Sequence, residues 1–160
     1  MTIRPLQESD VTALAEIYNH YVRFSTSTFE TVTLSDDEMH TRLFAPLSKY
    51  PCLVAEVDGK VVGYCALHPW RPRFDQVAEV TMYLAPDSCG KKIGKAMLSE
   101  IIEAGRNIDG LNGIIACINA DNKHSRALVE NMGFVLSGHY HRVGRKFNQW
   151  LDDVDYQLSF

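Results

Sequence analysis

A strand that leads through a short loop directly into a helix, over residues 79–95, constrains the fold of this chain more than any other feature. The apolar strand ends at Pro86-Asp87, and a loop rich in Gly and Lys opens into an amphipathic helix. Because loop amides and a helix N-terminus direct their donors at one point, this arrangement predicts an anion site. One carboxylate, Glu79, lies among apolar neighbours, where a general base with a raised pKa is expected. The segment therefore predicts an α/β enzyme that acts on a phosphate-bearing donor.

Apolar residues recur with strand or helix spacing along the whole chain, and no linker or internal repeat interrupts them. Ser9-Asp10 is expected to cap the first helix, Ser35 with Glu38 fits a capping box, and Asp58-Gly59 is typical of a hairpin turn. The order of elements implies an α/β sheet covered on both faces. Strands are predicted at residues 2–6, 52–57, 61–67, 77–84, 113–118, 134–143 and 154–159, and helices near 10–22, 35–44, 93–104 and 123–133.

Composition narrows the class of protein. A length of 160 residues suits one domain, and the net charge of −4 argues against nucleic-acid binding. No apolar run reaches the roughly 20 residues that a membrane span needs, and the N-terminus does not read as a signal peptide. The four cysteines, Cys52, Cys65, Cys89 and Cys117, show no paired spacing. We therefore expect reduced thiols and a cytoplasmic protein that binds no membrane.

Five segments, in order, resemble the GNAT-type N-acetyltransferases, and within them the phosphinothricin and small amino-acid acetyltransferases. The resemblance covers nearly the whole chain. It implies a single domain over residues 1–160 with the GNAT fold, a mixed sheet of about seven strands flanked by about four helices. It also implies acetyl-CoA as co-substrate and no metal. The segments read IYNHYVRFSTSTFET (17–31), HPWRPRF (68–74), VAEVTMYLAPD (77–87), DNKHSRALVENMGF (121–134) and VGRKFNQWLD (143–152).

In the resembling enzymes, the amides of the loop bind the pyrophosphate of coenzyme A. The chain keeps Gly90 and Gly94 but has Cys89 where the family has Gln or Arg, and Lys92 where it has glycine. A side chain at position 92 is compatible with ordinary backbone angles, and its ammonium would then meet a phosphate. A lysine-rich helix start without a ligand, and simple helix capping by Asn122, are the alternatives. The expected coenzyme contacts are Met82, Tyr83, Leu84, Gly90, Lys91, Lys92, Ile93, Gly94, Lys95, Asn122 and Ser125.

Glu79 matches the glutamate that the resembling enzymes use to deprotonate the amine, which is the step that requires a base. The alternative is an edge glutamate paired with Arg71 or Arg73. Many family members protonate the leaving thiolate with a Tyr or His at the position that Val129 occupies here. Tyr83, His124, water or the ammonium of the intermediate would then replace it, and Tyr83 is the residue expected to be catalytic. The expected acceptor contacts are Phe29, Glu30, Arg71, Pro72, Arg73, Glu79 and Thr81.

The resemblance implies transfer of an acetyl group to the primary amine of a small amino acid or analogue, such as phosphinothricin, methionine sulfone or methionine sulfoximine. Other amines (a polyamine or a peptide N-terminus) and a non-catalytic acyl-CoA sensor remain alternatives. It also implies a homodimer formed through the late strands, with Phe147 and Trp150 as interface candidates. His139 and His141 alternate on one strand, but without a third ligand at a plausible spacing no metal site is expected. Cys89, beside lysines on an exposed loop, is expected to carry a reactive thiol.

Overall fold

A computed structural model describes all 160 residues, Met1–Phe160, and contains one seven-stranded sheet and four α-helices. The strand order is β1-β2-β3-β4-β5-β7-β6, and only the β4–β5 pair is parallel. The predicted mixed α/β sheet is confirmed. None of the four α-helices combines the length with the apolar composition that a membrane span requires. The strands are β1 Thr2–Pro5, β2 Cys52–Val57, β3 Lys60–Pro69, β4 Val77–Leu84, β5 Gly113–Asn119, β6 Val135–Lys146 and β7 Gln149–Ser159, and the helices are α1 Val11–Phe24, α2 Asp36–Phe44, α3 Ile93–Arg106 and α4 Lys123–Asn131.

The two faces of the sheet bury two separate apolar clusters. Along β3, Cys65 and Leu67 pack with α3 and α4, whereas Tyr64 and Ala66 pack with α1 and α2. This alternation follows from the period of two along a strand. A central strand that is apolar on both sides therefore requires helices on both faces, as the sequence predicts.

Three of the predicted turn and cap signals are confirmed. Asp58 and Gly59 have φ values of 52° and 73°, the left-handed conformation that a tight hairpin turn needs. At α2, Ser35 Oγ accepts from the Glu38 amide at 3.1 Å, and Glu38 Oε2 accepts from the Ser35 amide at 2.8 Å. At α4, Asn122 Oδ1 accepts from the Ser125 amide at 3.1 Å.

The predicted cap of α1 is wrong in its chemistry. Asp10 precedes the helix, but its carboxylate accepts two hydrogen bonds from Arg4, each 2.8 Å long, and one from the Gln7 amide at 2.8 Å. Glu8–Asp10 forms a 3-10 turn, and α1 continues from it without a side-chain cap. The Asp10 carboxylate is therefore bound by the nearby Arg4 and by the Gln7 amide of the preceding turn, and not by an amide of α1.

The two last strands are longer than predicted because the turn between them was missed. β6 runs to Lys146 and β7 begins at Gln149, so only Phe147-Asn148 connects them. Both turn residues have positive φ, 52° and 59°, the combination of a type I′ turn. Phenylalanine is not a residue that favours this conformation, so the turn carries no strong local signal.

The parallel pair β4–β5 separates after three residues. Only Val77–Glu79 pairs with Gly113–Ile115, whereas β3 pairs with β4 from Ala78 to Leu84. Beyond Glu79, β4 therefore has a neighbouring strand on one side only. The separation opens a space in the middle of the sheet, between the C-terminal halves of two central strands.

Candidate active site

A cavity of about 1240 Å³ occupies the space where β4 and β5 separate. Its walls include the β4 residues from Glu79 to Leu84, the β5 residues from Ala116 to Ile118, and the loop residues from Ser27 to Glu30. The start of α3 and the start of α4 close one end. Thirteen of the predicted site residues line this cavity, namely Phe29, Glu30, Glu79, Thr81, Met82, Tyr83, Leu84, Gly90, Lys92, Gly94, Lys95, Asn122 and Ser125.

The loop before α3 has the backbone geometry of an anion site. Gly90 and Lys92 have φ values of 76° and 65°, and this reversal of backbone hand turns successive amides toward one side. The first intrahelical bond runs from the Ala96 amide to Lys92 O, so the preceding amides at the helix start remain free for a ligand. A Cβ on Gly94 would lie 3.3 Å from Met82 Cε, which shows how closely the helix start approaches β4. These features fit a pyrophosphate group.

Three sequence-based expectations about this loop need correction or refinement. The backbone at Lys92 is left-handed rather than ordinary, so the lysine is tolerated at a cost of about 1 kcal/mol that glycine would not incur. The side chain of Ile93 is buried in the core, at 5% exposure, so only its backbone can contact a ligand. Lys91 is exposed outside the cavity lining.

Asn122 serves as the cap of α4 and also borders the cavity. Besides accepting from the Ser125 amide, it donates from Nδ2 to Ser27 Oγ at 3.3 Å. The capping alternative is therefore correct for Asn122. Contact of Asn122 and Ser125 with the coenzyme remains a prediction, one that is compatible with capping because both residues face the cavity.

Glu79 lies at the point of separation, on the face of the sheet that α1 and α2 cover. Burial raises the pKa of its carboxyl to about 7, the nearby Cys117 thiol opposes this rise, and the carboxyls of Asp155 and Asp153 add to it. The alternative of an edge glutamate paired with an arginine is wrong. The Arg71 guanidinium instead lies 3.7 Å from Asp155 Oδ2.

Sequence reasoning missed two carboxyls beside Glu79, of which one is buried and the other half-buried. Asp155 is 4% exposed and faces Cys117 across the β5–β7 pair, and Asp153 borders the cavity. The Cys117 sulfur and a carboxylate oxygen of each of Asp153 and Asp155 lie within 4.8 Å of one another. In the sequence the two aspartates alternate with apolar residues, which is also the pattern of an ordinary solvent-facing edge.

The loop that carries Phe29 and Glu30 is fixed by contacts that sequence reasoning also missed. The buried ammonium of Lys146 donates to Thr28 O at 2.9 Å, and Asn119 Nδ2 donates to Thr26 O at 2.8 Å. The Glu30 carboxylate accepts from Tyr18 Oη at 2.6 Å and also pairs with the Arg42 guanidinium. This loop is therefore a rigid wall of the cavity.

The predicted arginine contacts lie beyond the cavity lining. Arg71, Pro72 and Arg73 are all exposed after β3. Arg71 stacks on the Trp70 ring, with the guanidinium carbon 4.2 Å from its centroid, and donates to Tyr140 Oη at 3.3 Å. Its proximity to Asp155 nevertheless places it at the rim nearest the buried carboxyls.

Two candidates for protonation of the leaving group are present in the cavity. Tyr83 packs edge-on against Tyr18 with ring centroids 5.0 Å apart, and its hydroxyl lies 3.4 Å from Ser27 O. Burial raises the pKa of Tyr83, so the phenol keeps its proton at neutral pH. His124 also lines the cavity, and Val129 occupies its wall without a proton to give.

The two late histidines have a shared carboxylate partner that their spacing did not reveal. Asp152 Oδ2 lies 2.8 Å from His139 Nε2 and 3.1 Å from His141 Nδ1, on the exposed face of the β6–β7 hairpin. The argument that the two histidines have no third potential metal ligand beside them is therefore wrong, because Asp152 lies next to both. All three side chains are far from buried, at 42%, 74% and 30% exposure, and they lie outside the cavity lining.

Comparisons with known proteins agree with this geometry. A family model described as an acetyltransferase (GNAT) domain matches residues 3–154. The chain is 35% identical to the L-amino acid N-acyltransferase MnaT of Escherichia coli (strain K12), over 99% of this chain and 94% of the relative. A crystal structure of ribosomal-protein-alanine N-acetyltransferase from Brucella melitensis is similar with a TM-score of 0.96 and 34% identity, and all of both chains is covered.

A third comparison bears on the co-substrate. The structure of a GNAT superfamily phosphinothricin acetyltransferase from Sinorhizobium meliloti in complex with AcCoA has a TM-score of 0.92 and 32% identity, covering 99% of this chain and 88% of that one. In this chain, the loop before α3 offers an anion site, and a cavity lies between β4 and β5. The chain belongs to the GNAT acetyltransferase family.

Proposed function

We propose that this enzyme transfers the acetyl group of acetyl-CoA to the primary amine of a small amino acid or analogue by direct attack, with Glu79 as general base. The observation that carries the proposal is the position of Glu79. It lies where β4 leaves β5, in the cavity that the coenzyme loop also borders. The amino-acid acceptor is supported by relatives named for L-amino acids and for phosphinothricin.

The base is suited to its task by its surroundings. An amine attacks a carbonyl only after it has lost its proton, so a carboxylate near the amine must accept that proton. A pKa of about 7 leaves Glu79 substantially ionised at neutral pH and basic enough to hold the proton it receives. An ordinary surface glutamate would be a weaker base.

The protein contributes positioning and hydrogen bonds on the coenzyme side. Acetyl-CoA supplies a thioester carbonyl as the electrophile. The backbone of Met82 and Tyr83 pairs with β3 but has no β5 partner, so its groups on the β5 side can hold the carbonyl oxygen and the pantetheine arm. The Leu84 carbonyl already accepts from Tyr21 Oη at 2.6 Å. The loop amides and the lysines of residues 90–95 would hold the pyrophosphate, with Asn122 and Ser125 at the far wall.

Departure of the coenzyme thiolate requires a proton, and we assign this role to Tyr83. Its phenol is protonated at neutral pH and lines the cavity. On the acceptor side, we infer contacts from Phe29, Glu30 and Thr81, and an Arg71-Pro72-Arg73 rim that attracts the acceptor carboxylate. Thr81 Oγ1 is held 2.8 Å from His68 Nε2, which fixes the position of the hydroxyl in the cavity.

Acetylation of a peptide N-terminus is the second candidate function. It is favoured by the similarity to a structure named for ribosomal-protein-alanine N-acetylation. A peptide would have to enter past Arg71 and Trp70, since the Phe29 loop is fixed by Lys146.

We further infer that the chain acts as one cytoplasmic domain and forms a homodimer without nucleic acid or membrane. The support for a dimer is the β6–β7 hairpin, where Phe147 and Trp150 are each 51% exposed. Trp150 is flanked by the guanidinium groups of Arg142 and Arg145, 4.8 and 5.2 Å from its ring centroid. An exposed aromatic group with polar surroundings is typical of an interface.

Release of free thiol from acetyl-CoA, measured against a panel of amines and peptides, tests the activity. We expect turnover with amino acids, and a loss of about 100-fold or more in kcat for Glu79→Gln. Glu100→Gln, an exposed change on α3, is the matched control and should retain full activity. Full activity of the Glu79→Gln variant would refute the role of Glu79, and turnover of peptides alone would refute the acceptor class.

A further inference from the structure

Two aspartates beside Glu79, the buried Asp155 and the half-buried Asp153, lack some of the partners that buried carboxylate oxygens require. Oδ1 of Asp153 and Oδ1 of Asp155 are both inaccessible to solvent and have no hydrogen-bond partner. An ionised carboxylate in a protein interior is paired with a cation or is bound by several donors, because its desolvation is otherwise too costly. Two such oxygens on neighbouring side chains would be satisfied by a cationic group that donates hydrogen bonds.

The charge of this corner of the cavity is strongly unbalanced. Glu79, Asp153 and Asp155 bring three carboxyls together, and the only cation near them is Arg71, 3.7 Å from Asp155 Oδ2. Arg71 is 47% exposed at its side chain and contacts only one of the four aspartate oxygens. Both unpartnered oxygens are buried, and Asp153 lines the cavity together with Cys117.

The side chains around the aspartates favour an ammonium over a metal ion. Cys117 is the third potential ligand in the group, but burial, Glu79 and Asp155 all raise the pKa of its thiol. A protonated thiol is a poor metal ligand, because metals bind the thiolate. The two carboxylates offer hydrogen-bond acceptors and no further metal ligand. They therefore suit a cation that donates several hydrogen bonds, and an ammonium group donates three.

We propose that Asp153 and Asp155 bind a second ammonium group of the acceptor, so that the preferred substrate is an amino acid or short amine with two amino groups. One amine faces Glu79 and reacts, and the other occupies the aspartate pair a few ångströms away. This inference rests on the proposed acetyltransfer and names the acceptor of that same site. It makes the cavity selective by charge as well as by size.

The test uses pairs of acceptors that differ only in the second ammonium. Suitable pairs are 2,4-diaminobutyrate with 2-aminobutyrate, ornithine with norvaline, and 1,3-diaminopropane with propylamine. Thiol release at saturating acetyl-CoA should give a kcat/KM at least about tenfold higher for the diamino member of a pair, since a hydrogen-bonded charge pair is worth that much or more. Asp153→Asn and Asp155→Asn should each lower this ratio by about tenfold.

Asp152→Asn is the matched control, because it removes the same charge from the same strand on the exposed face. The ratio should not change in this variant. Circular dichroism and the rise in Tm on adding acetyl-CoA show whether each variant is folded. If the Asp155→Asn variant does not fold, the result for Asp153→Asn alone tests the inference, since Asp153 is the less buried of the two.

Three results would overturn the inference. The first is a ratio near one in the unaltered enzyme while neutral acceptors are acetylated, which would leave the proposed function standing. The second is a high ratio that neither substitution lowers. The third is calorimetric binding of Zn²⁺ or Ca²⁺ that Asp153→Asn abolishes, which would assign the pair to a metal. No turnover with any acceptor would refute the proposed function, and this inference with it.

Discussion

Replacement of Glu79 by glutamine should stabilise the folded protein in a strongly pH-dependent way. Burial raises the pKa of this carboxyl from 4.5 to about 7. The folded state therefore keeps a proton that the unfolded state has released, and the associated stability is complete below pH 4.5 and is lost as the pH rises through about 7. At 1.36 kcal/mol per pH unit, the loss is about 3 kcal/mol.

Glutamine has the same shape but no charge, so the Glu79→Gln variant escapes this loss. Its free energy of unfolding, relative to the unaltered protein, should rise by about 2 to 3 kcal/mol between about pH 5 and about pH 8. Urea denaturation across this range measures the difference. The exposed control Glu100→Gln should stay within about 0.5 kcal/mol throughout.

A difference that is constant between these pH values would refute the reasoning, because it would show that Glu79 titrates alike in the folded and unfolded states. The same raised pKa should also appear as an acidic limb near pH 7 in the pH profile of kcat/KM. If both measurements give the same pKa, the carboxyl that titrates in catalysis is the same buried carboxyl that destabilises the folded protein.

Three further perturbations test other parts of the site. Lys92→Gly should raise the free energy of unfolding by up to about 1 kcal/mol, because glycine adopts the left-handed backbone conformation of residue 92 without strain. The control Lys91→Gly should lower the free energy of unfolding. Equal losses for the two variants in urea denaturation would contradict this reasoning. Gly144→Ala would place a Cβ 2.5 Å from Cδ1 of Phe29 and so displace the Phe29 ring. The KM for the acceptor should therefore rise more than the KM for acetyl-CoA. Equal changes in the two KM values would argue against a contact between Phe29 and the acceptor. Iodoacetamide should alkylate the exposed thiol of Cys89 more slowly when coenzyme A is bound, and an unchanged rate would show that the coenzyme does not cover it.

The sequence predicted those structural features whose causes are local. The Asp58-Gly59 turn and the Ser35–Glu38 box each depend on a few adjacent residues, and both are present. One failure arose where a charged side chain competes with the helix N-terminus for the same carboxylate. Asp10 has the chemistry of a helix cap, but Arg4 offers its carboxylate a charged, bidentate partner, which is the stronger interaction.

The candidate site shows the same division. The strand, loop and helix around Glu79 are contiguous in sequence, so their association could be predicted. Asp153 and Asp155 could not be assigned to the site, because their period of two fits a buried or an exposed face equally well. Only the pairing of β7 with β5 turns that face toward the cavity.

Because β4 and β5 separate after three residues, we expect bound coenzyme to stabilise the folded protein as well as to react. A ligand that binds only the folded state stabilises it in proportion to the logarithm of its concentration above Kd. Here the ligand would fill a gap between two central strands, where the sheet has least internal support. Each product release leaves that gap open, so we expect the enzyme to be most vulnerable to proteolysis between turnovers. Its lifetime in a cell should then follow the size of the coenzyme A pool.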